Sequence, residues 1–229
     1  MADINFTLLL AKQFPNWFYW VVAGIQLLGV VVSFAISYLG FKAYRIIKEA
    51  KYKYFFYGFL LLGLSFLANV ILNVSIRLGY AKYFVEKKYE LFMLPMFGIY
   101  YVFLIGVMLA YVSLAAVYSE VKKSNKLWLF YFWTFIVGVY TFRDKLMFNM
   151  FSAILLSFIV MYTYDKYLEG KNKNRLLTCL AFFCMFLFHL FVLLETFMPI
   201  FFIIRNSILL IGLILLLTTL SKIYGRKKK

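Results

Sequence analysis

The sequence predicts an all-α fold: a polytopic transmembrane helix bundle of seven spans, with the N-terminus outside and the C-terminus cytoplasmic. Three observations carry that prediction. The chain is 65% hydrophobic and 22% aromatic, far above the roughly 45–50% apolar content of soluble domains. Its apolar runs are long and continuous, without the dyad alternation of an outer-membrane barrel strand. Helices are therefore the spanning element that satisfies each backbone donor and acceptor in lipid. Finally, the basic residues lie between the runs, in two unequal sets. The connectors after spans one, three and five, with the C-terminal tail, carry 5, 3, 4 and 5 Lys and Arg residues, against 8 on the opposite side. Such an excess marks the cytoplasmic face.

A single integral-membrane domain covers residues 1–229, with spans at 18–41, 54–76, 91–118, 127–142, 146–164, 176–197 and 199–221. Met1 to Asn16 has no basic n-region and no small-residue cleavage site, so no signal peptide is read there. Trp17 and Trp20 mark a membrane interface, where an amphipathic ring is best placed. On span one, Gln26, Gly29, Ser33, Ser37 and Gly40 fall on a narrow arc at steps of three and four, a face expected to pack closely against neighbouring helices. On span two, Ser65, Asn69, Asn73 and Arg77 recur every four residues. Two amides in a spanning helix are costly without partners, so this stripe should face the bundle interior.

The Arg77–Glu90 connector mixes charges with Tyr80, Tyr83, Phe84 and Tyr89 and should lie on the membrane surface, as a short amphipathic helix. Span three begins with Pro95 in or near its first turn. Span four has 16 uncharged residues, about 24 Å of helix against a hydrocarbon core of about 30 Å. Trp128 and Tyr131 at one end and Arg143 at the other could anchor it in a thinned bilayer. Span five follows the tight Arg143-Asp144-Lys145 turn. Spans six and seven meet at Pro199. The cytoplasmic connectors share a Tyr-x-x-x-Lys pattern: Tyr44/Lys48, Tyr118/Lys122 and Tyr167/Lys171.

The residue inventory excludes several chemistries. One histidine rules out a di-haem cytochrome and a His-Glu-x-x-His zinc site. The last span holds no Schiff-base lysine, and no Gly-rich phosphate loop occurs. Cys179 and Cys184 are expected to pack, since neither a disulfide nor a metal site is indicated by their spacing. No catalytic residue, cofactor or metal is assigned. The net charge of +16 belongs to topology and not to nucleic-acid binding.

What needs explaining is the polar content of the spans. Asn69, Asn73, Arg77, His189, Glu195 and Arg205 match in depth well enough to share one outward-facing pocket. Glu195 and Arg205, on the last two spans, also form a candidate structural ion pair, because a lone charge there costs at least about 2.5–3.5 kcal/mol. The expected function is a non-enzymatic receptor-like, sensor-like or membrane-assembly component of the plasma membrane. Its required partner is the lipid bilayer. To act it would bind a small ligand, a lipid, or a membrane or cytoplasmic protein within or against the bundle. A small-solute transporter or channel is the alternative reading, and an intramembrane enzyme without a recognisable motif is the third.

Overall fold

The computed structural model describes residues 16–85, 89–118, 124–141, 144–195 and 200–226. All secondary structure among them is helical: α1 (Asn16–Ile47), α2 (Ala50–Val85), α3 (Tyr89–Tyr118), α4 (Ser124–Thr141), α5 (Lys145–Gly170), α6 (Lys173–Leu190), the single turn α7 (Val192–Glu195) and α8 (Ile200–Arg226). Six of these, α1, α2, α3, α5, α6 and α8, are long and apolar enough to cross a membrane, and α4 adds a shorter apolar stretch, Trp128–Thr141. The chain is a helical, multi-pass membrane bundle.

Side-chain registers show how the helices are threaded. Gly63 packs on Phe34 and Ser37 bonds the Phe56 carbonyl, so α1 and α2 are antiparallel. α2 and α3 are also antiparallel, with Gly58 against Leu114 and Gly106 against Ser65. In contrast, α3 and α5 run in the same direction: Phe103 meets Phe148, and Tyr118 meets Tyr162. The chain must therefore return along the bundle between them, and α4 does so. Its Tyr131 hydroxyl is 2.8 Å from Ser113 Oγ, and its Gly138 faces Ile105, an antiparallel register with α3. At the closing seam α1 and α8 are parallel, with Gln26 against Asn206 and Gly29 against Leu213.

Packing places α1, α2, α3, α5, α6 and α8 in a closed ring, with α4 outside it against α3. Consequently α4 buries Thr134 and Thr141 while Trp128, Phe130, Phe132, Trp133, Phe135 and Tyr140 are exposed. In a bilayer those rings face lipid, so their exposure carries no aggregation cost. Inside the ring the core is built from Ile36, Phe59, Leu62, Met108, Leu114, Leu156, Ile159, Phe182, Met185 and Leu213, all fully buried.

Two glycines set how closely helices approach. A Cβ on Gly212 would lie 2.8 Å from the Ala181 carbonyl oxygen and 2.9 Å from Cys184 Cβ; α8 thus sits almost backbone to backbone on α6. On Gly58 it would lie 2.9 Å from Leu114 and 3.3 Å from the Ala110 carbonyl. Small residues at such crossings are how membrane helices gain van der Waals contact without help from the hydrophobic effect.

Helix ends differ in places from the sequence expectation. The Arg77–Glu90 connector was expected at the membrane surface as a short amphipathic helix; it is helical to Val85, but as a continuation of α2 and not as a separate element. No proline interrupts this run, and its Arg, Leu, Ala and Lys residues are good helix formers. Span six was expected to continue to 197, but α6 ends at Leu190. Phe191 caps it by donating its N–H to the Leu187 carbonyl, and the separate turn α7 follows. Asp144 caps α5, its carboxylate accepting from the N–H groups of Leu146 (2.8 Å) and Met147 (3.3 Å).

At the other end of the bundle the α1–α2 and α5–α6 hairpins turn in two residues each, Lys48-Glu49 and Lys171-Asn172. Both turns place a lysine in the left-handed region, Lys48 at φ 57° and Lys171 at φ 41°. In both, that lysine's N–H bonds the carbonyl of the tyrosine four residues earlier, Tyr44 at 2.8 Å and Tyr167 at 2.7 Å. Two of the three Tyr-x-x-x-Lys patterns are therefore one cap used twice; Lys122 of the third lies outside the described residues. The conformation costs an L-residue about 1–2 kcal/mol, which is why glycine usually occupies it.

Candidate functional site: a polar layer across the bundle

Six helices contribute to one layer of polar side chains, in the half of the bundle that holds the start of α1. It is made of two hydrogen-bonded sets joined by an aromatic ring.

The first set links α1, α2 and α8. Asn73 Nδ2 donates to Gln26 Oε1 at 3.0 Å. Gln26 Nε2 donates to Asn206 Oδ1 at 3.3 Å, and Asn206 Nδ2 donates to the Phe202 carbonyl at 2.7 Å. Three amides thus donate in a single direction, from α2 through α1 to α8. Gln26 and Asn206 are buried, so each bond replaces one that water cannot supply. The Gln26–Asn206 link is the longest of the three and at the edge of good geometry.

The second set links α3, α5 and α6. His189 is buried with Tyr111 and Asn149. Its Nε2 is 2.8 Å from the Tyr111 hydroxyl, and its Nδ1 is 2.8 Å from Asn149 Oδ1. With the amide oxygen so placed, Nδ1 carries the proton and Nε2 accepts from the phenol, the pattern of a neutral imidazole. Edge-on packing of Tyr111 and Phe148 on the ring completes its enclosure.

Phe188 belongs to both sets. Its ring stands edge-to-face on His189 with centroids 4.8 Å apart. It also lines a cavity of about 20 Å³ together with Gln26, Gly29, Phe66, Asn69 and Asn206, enough for about one water molecule. Arg205 is buried and lies over Phe188 at 4.8 Å and over Phe202 at 5.0 Å, so its charge is set against aromatic faces in a desolvated setting.

The expected site residues are distributed as follows. Asn73 pairs with Gln26, and Asn69 borders the cavity, where it has no hydrogen-bond partner among the described residues. Among the described residues His189 is hydrogen-bonded to Tyr111 and Asn149 and to neither Asn69 nor Asn73, and Phe188, which packs on its ring, lines the same cavity as Asn69. Arg205 lies beside Phe188 on α8. The side chains of Arg77 and Glu195 lie outside the described residues, and with them the Glu195–Arg205 pair. The face of α1 made by Gln26, Gly29, Ser33, Ser37 and Gly40 is buried throughout. Gln26 does more there than pack, since it is the centre of the amide relay.

Sequence reasoning did not single out Asn149, Asn206 or Tyr111. The two asparagines carried a usable signal, being amides inside apolar runs like Asn69 and Asn73. Tyr111 had none, as one of 19 tyrosines. Among the described residues no three His, Cys, Asp or Glu side chains converge as metal ligands. Comparison with protein-family models, with curated proteins and with solved structures returned no match.

Proposed function

We propose that this chain is a receptor-like membrane component that acts by binding and not by catalysis. In this reading seven passes alternate, the N-terminus is outside, and the polar layer lies in the outer half of a plasma-membrane bundle. The parallel register of α1 and α8 supports an odd number of passes, and the antiparallel return of α4 along α3 supports counting it among them. The excess of Lys and Arg at the opposite end supports that orientation.

The observation that carries the functional reading is Phe188, shared between the amide-lined cavity and the His189 set. A small polar ligand that enters between Gln26, Asn69 and Asn206 must open the 3.3 Å Gln26–Asn206 link, the weakest of the relay, and displace Phe188. Displacement of Phe188 repacks His189, so occupancy on the α1–α2–α8 side is felt on the α3–α5–α6 side. The transmitted signal would pass to a protein partner at the basic end.

The test is a thermal-shift screen of the purified protein in nanodiscs against small amides, polyols, amino acids and carboxylates. At least one class is expected to stabilise the wild type but not Asn69→Leu. The same panel is then run as a flux assay in proteoliposomes. Solute movement that Asn69→Leu stops would replace the receptor reading with a transporter. Orientation is tested separately, by membrane-impermeant labelling of single cysteines introduced at Asp144 and Lys171, expected to react from opposite sides.

A further inference from the structure

The two left-handed lysines are unexplained by the polar layer. Lys48 and Lys171 occupy equivalent positions in two hairpins, at the C-terminal ends of the parallel helices α1 and α5, and so at the same end of the bundle. These helices are not neighbours in the ring, which puts the lysines at separate points around that end. Glycine would adopt this backbone without the Cβ penalty, so the side chain is kept against a conformational cost.

The local carboxylates do not account for the charge. Glu49 is held by Lys51 at 2.5 Å, and Glu169 by Lys166 at 3.0 Å. Both left-handed lysines are exposed, and neither ammonium has an ion pair or hydrogen bond among the described residues. The connectors and tail at this end carry 17 basic residues against four acidic ones, Glu49, Glu120, Asp165 and Glu169. Tyr44 and Tyr167, whose carbonyls accept the cap bonds, put an amphipathic ring one turn below each lysine, at the depth where a helix leaves the hydrocarbon.

We propose that Lys48 and Lys171 are paired docking points for anionic phospholipid headgroups, presented to the leaflet by their left-handed caps. The cap stops the helix one turn beyond the tyrosine and projects the ammonium past that last turn, where phosphate oxygens lie. Two such contacts on separated hairpins would hold the bundle at a fixed depth and tilt in an anionic leaflet. This rests on the bundle standing in a membrane but not on the receptor reading or on which face is cytoplasmic, so failure of the ligand screen leaves it untouched.

The test compares melting temperatures in nanodiscs of phosphatidylcholine with those in an equimolar mixture with phosphatidylglycerol. The wild type is expected to melt higher in the anionic discs. The double variant Lys48→Gly/Lys171→Gly should melt above wild type in neutral discs, by about 2–4 °C for each kcal/mol of relieved strain, and lose most of the anionic increment. Lys48→Asn/Lys171→Asn, which keeps a residue tolerant of the left-handed region, should lose it as well. Lys42→Gln/Lys222→Gln removes the same charge from the same end and should retain it. Full retention of the increment by the Gly and Asn variants, or equal loss in the control pair, would overturn the proposal.

Discussion

Tyr111→Phe is the cleanest perturbation the polar layer offers. Tyr111 is 0% exposed, so the substitution deletes one hydroxyl from a packed site and leaves the ring in place. The bond lost is the 2.8 Å contact to His189 Nε2. Interhelical hydrogen bonds within membranes average about 0.6 kcal/mol and reach about 1.7. Full burial of both partners puts this one toward the upper part, at about 1–1.7 kcal/mol, because the imidazole nitrogen is left without a donor. For a chain of this size that is a fall in melting temperature of about 2–7 °C. His189→Leu should cost more, about 2–4 kcal/mol, since it strands the phenol and takes a partner from Asn149. The assay is reversible unfolding in mixed micelles for both single variants and the double variant. If the bond holds α3 to α6, the double variant is less destabilised than the two singles together by about 1 kcal/mol. Strict additivity would falsify the assignment of Tyr111 and His189 as an energetic pair.

Three other sets of contacts fix expected outcomes of their own. In the amide relay, Gln26→Leu should destabilise more than Asn73→Leu in the same unfolding assay. It removes two interhelical bonds to the other's one, with a difference of about 0.6–1.7 kcal/mol. Gly212→Ala puts a methyl 2.8 Å from the Ala181 carbonyl and should cost about 1–3 kcal/mol. Gly98→Ala meets nothing within 4 Å and should gain up to about 1 kcal/mol from helix propensity; equal effects in a melting comparison would refute the close α6–α8 approach. Asp144→Ala removes the cap of α5 and should cost about 1 kcal/mol, while Asp144→Ser restores most of it. A stability unchanged by Asp144→Ala would show that the cap does not hold the α4–α5 turn.

The class of this protein is legible in its residues alone, because lipid imposes conditions that can be read without a fold. Long apolar runs must be helical, since no other single segment satisfies its own backbone in hydrocarbon. Connectors declare themselves by charge, and the amides of span two had to seek the interior because exposure to lipid is costly. Helix ends were less legible: α2 ran on into its polar connector as far as Val85, and α6 stopped at Leu190, since both depend on neighbouring contacts and not on composition.

Partnership, in contrast, is set by packing in three dimensions. Depth along a helix follows from counting at 1.5 Å per residue, so Asn69, Asn73, His189 and Arg205 could be placed near one level from sequence. Rotation about the axis, and which helix stands beside which, are set by side-chain packing across residues far apart in the chain. That packing gave Asn73 to Gln26, His189 to Tyr111 and Asn149, and left Phe188 between the two sets. The Tyr-x-x-x-Lys pattern was visible as spelling, but the left-handed cap it makes at Lys48 and Lys171 depends on a chain reversal that brings the next helix back against the last.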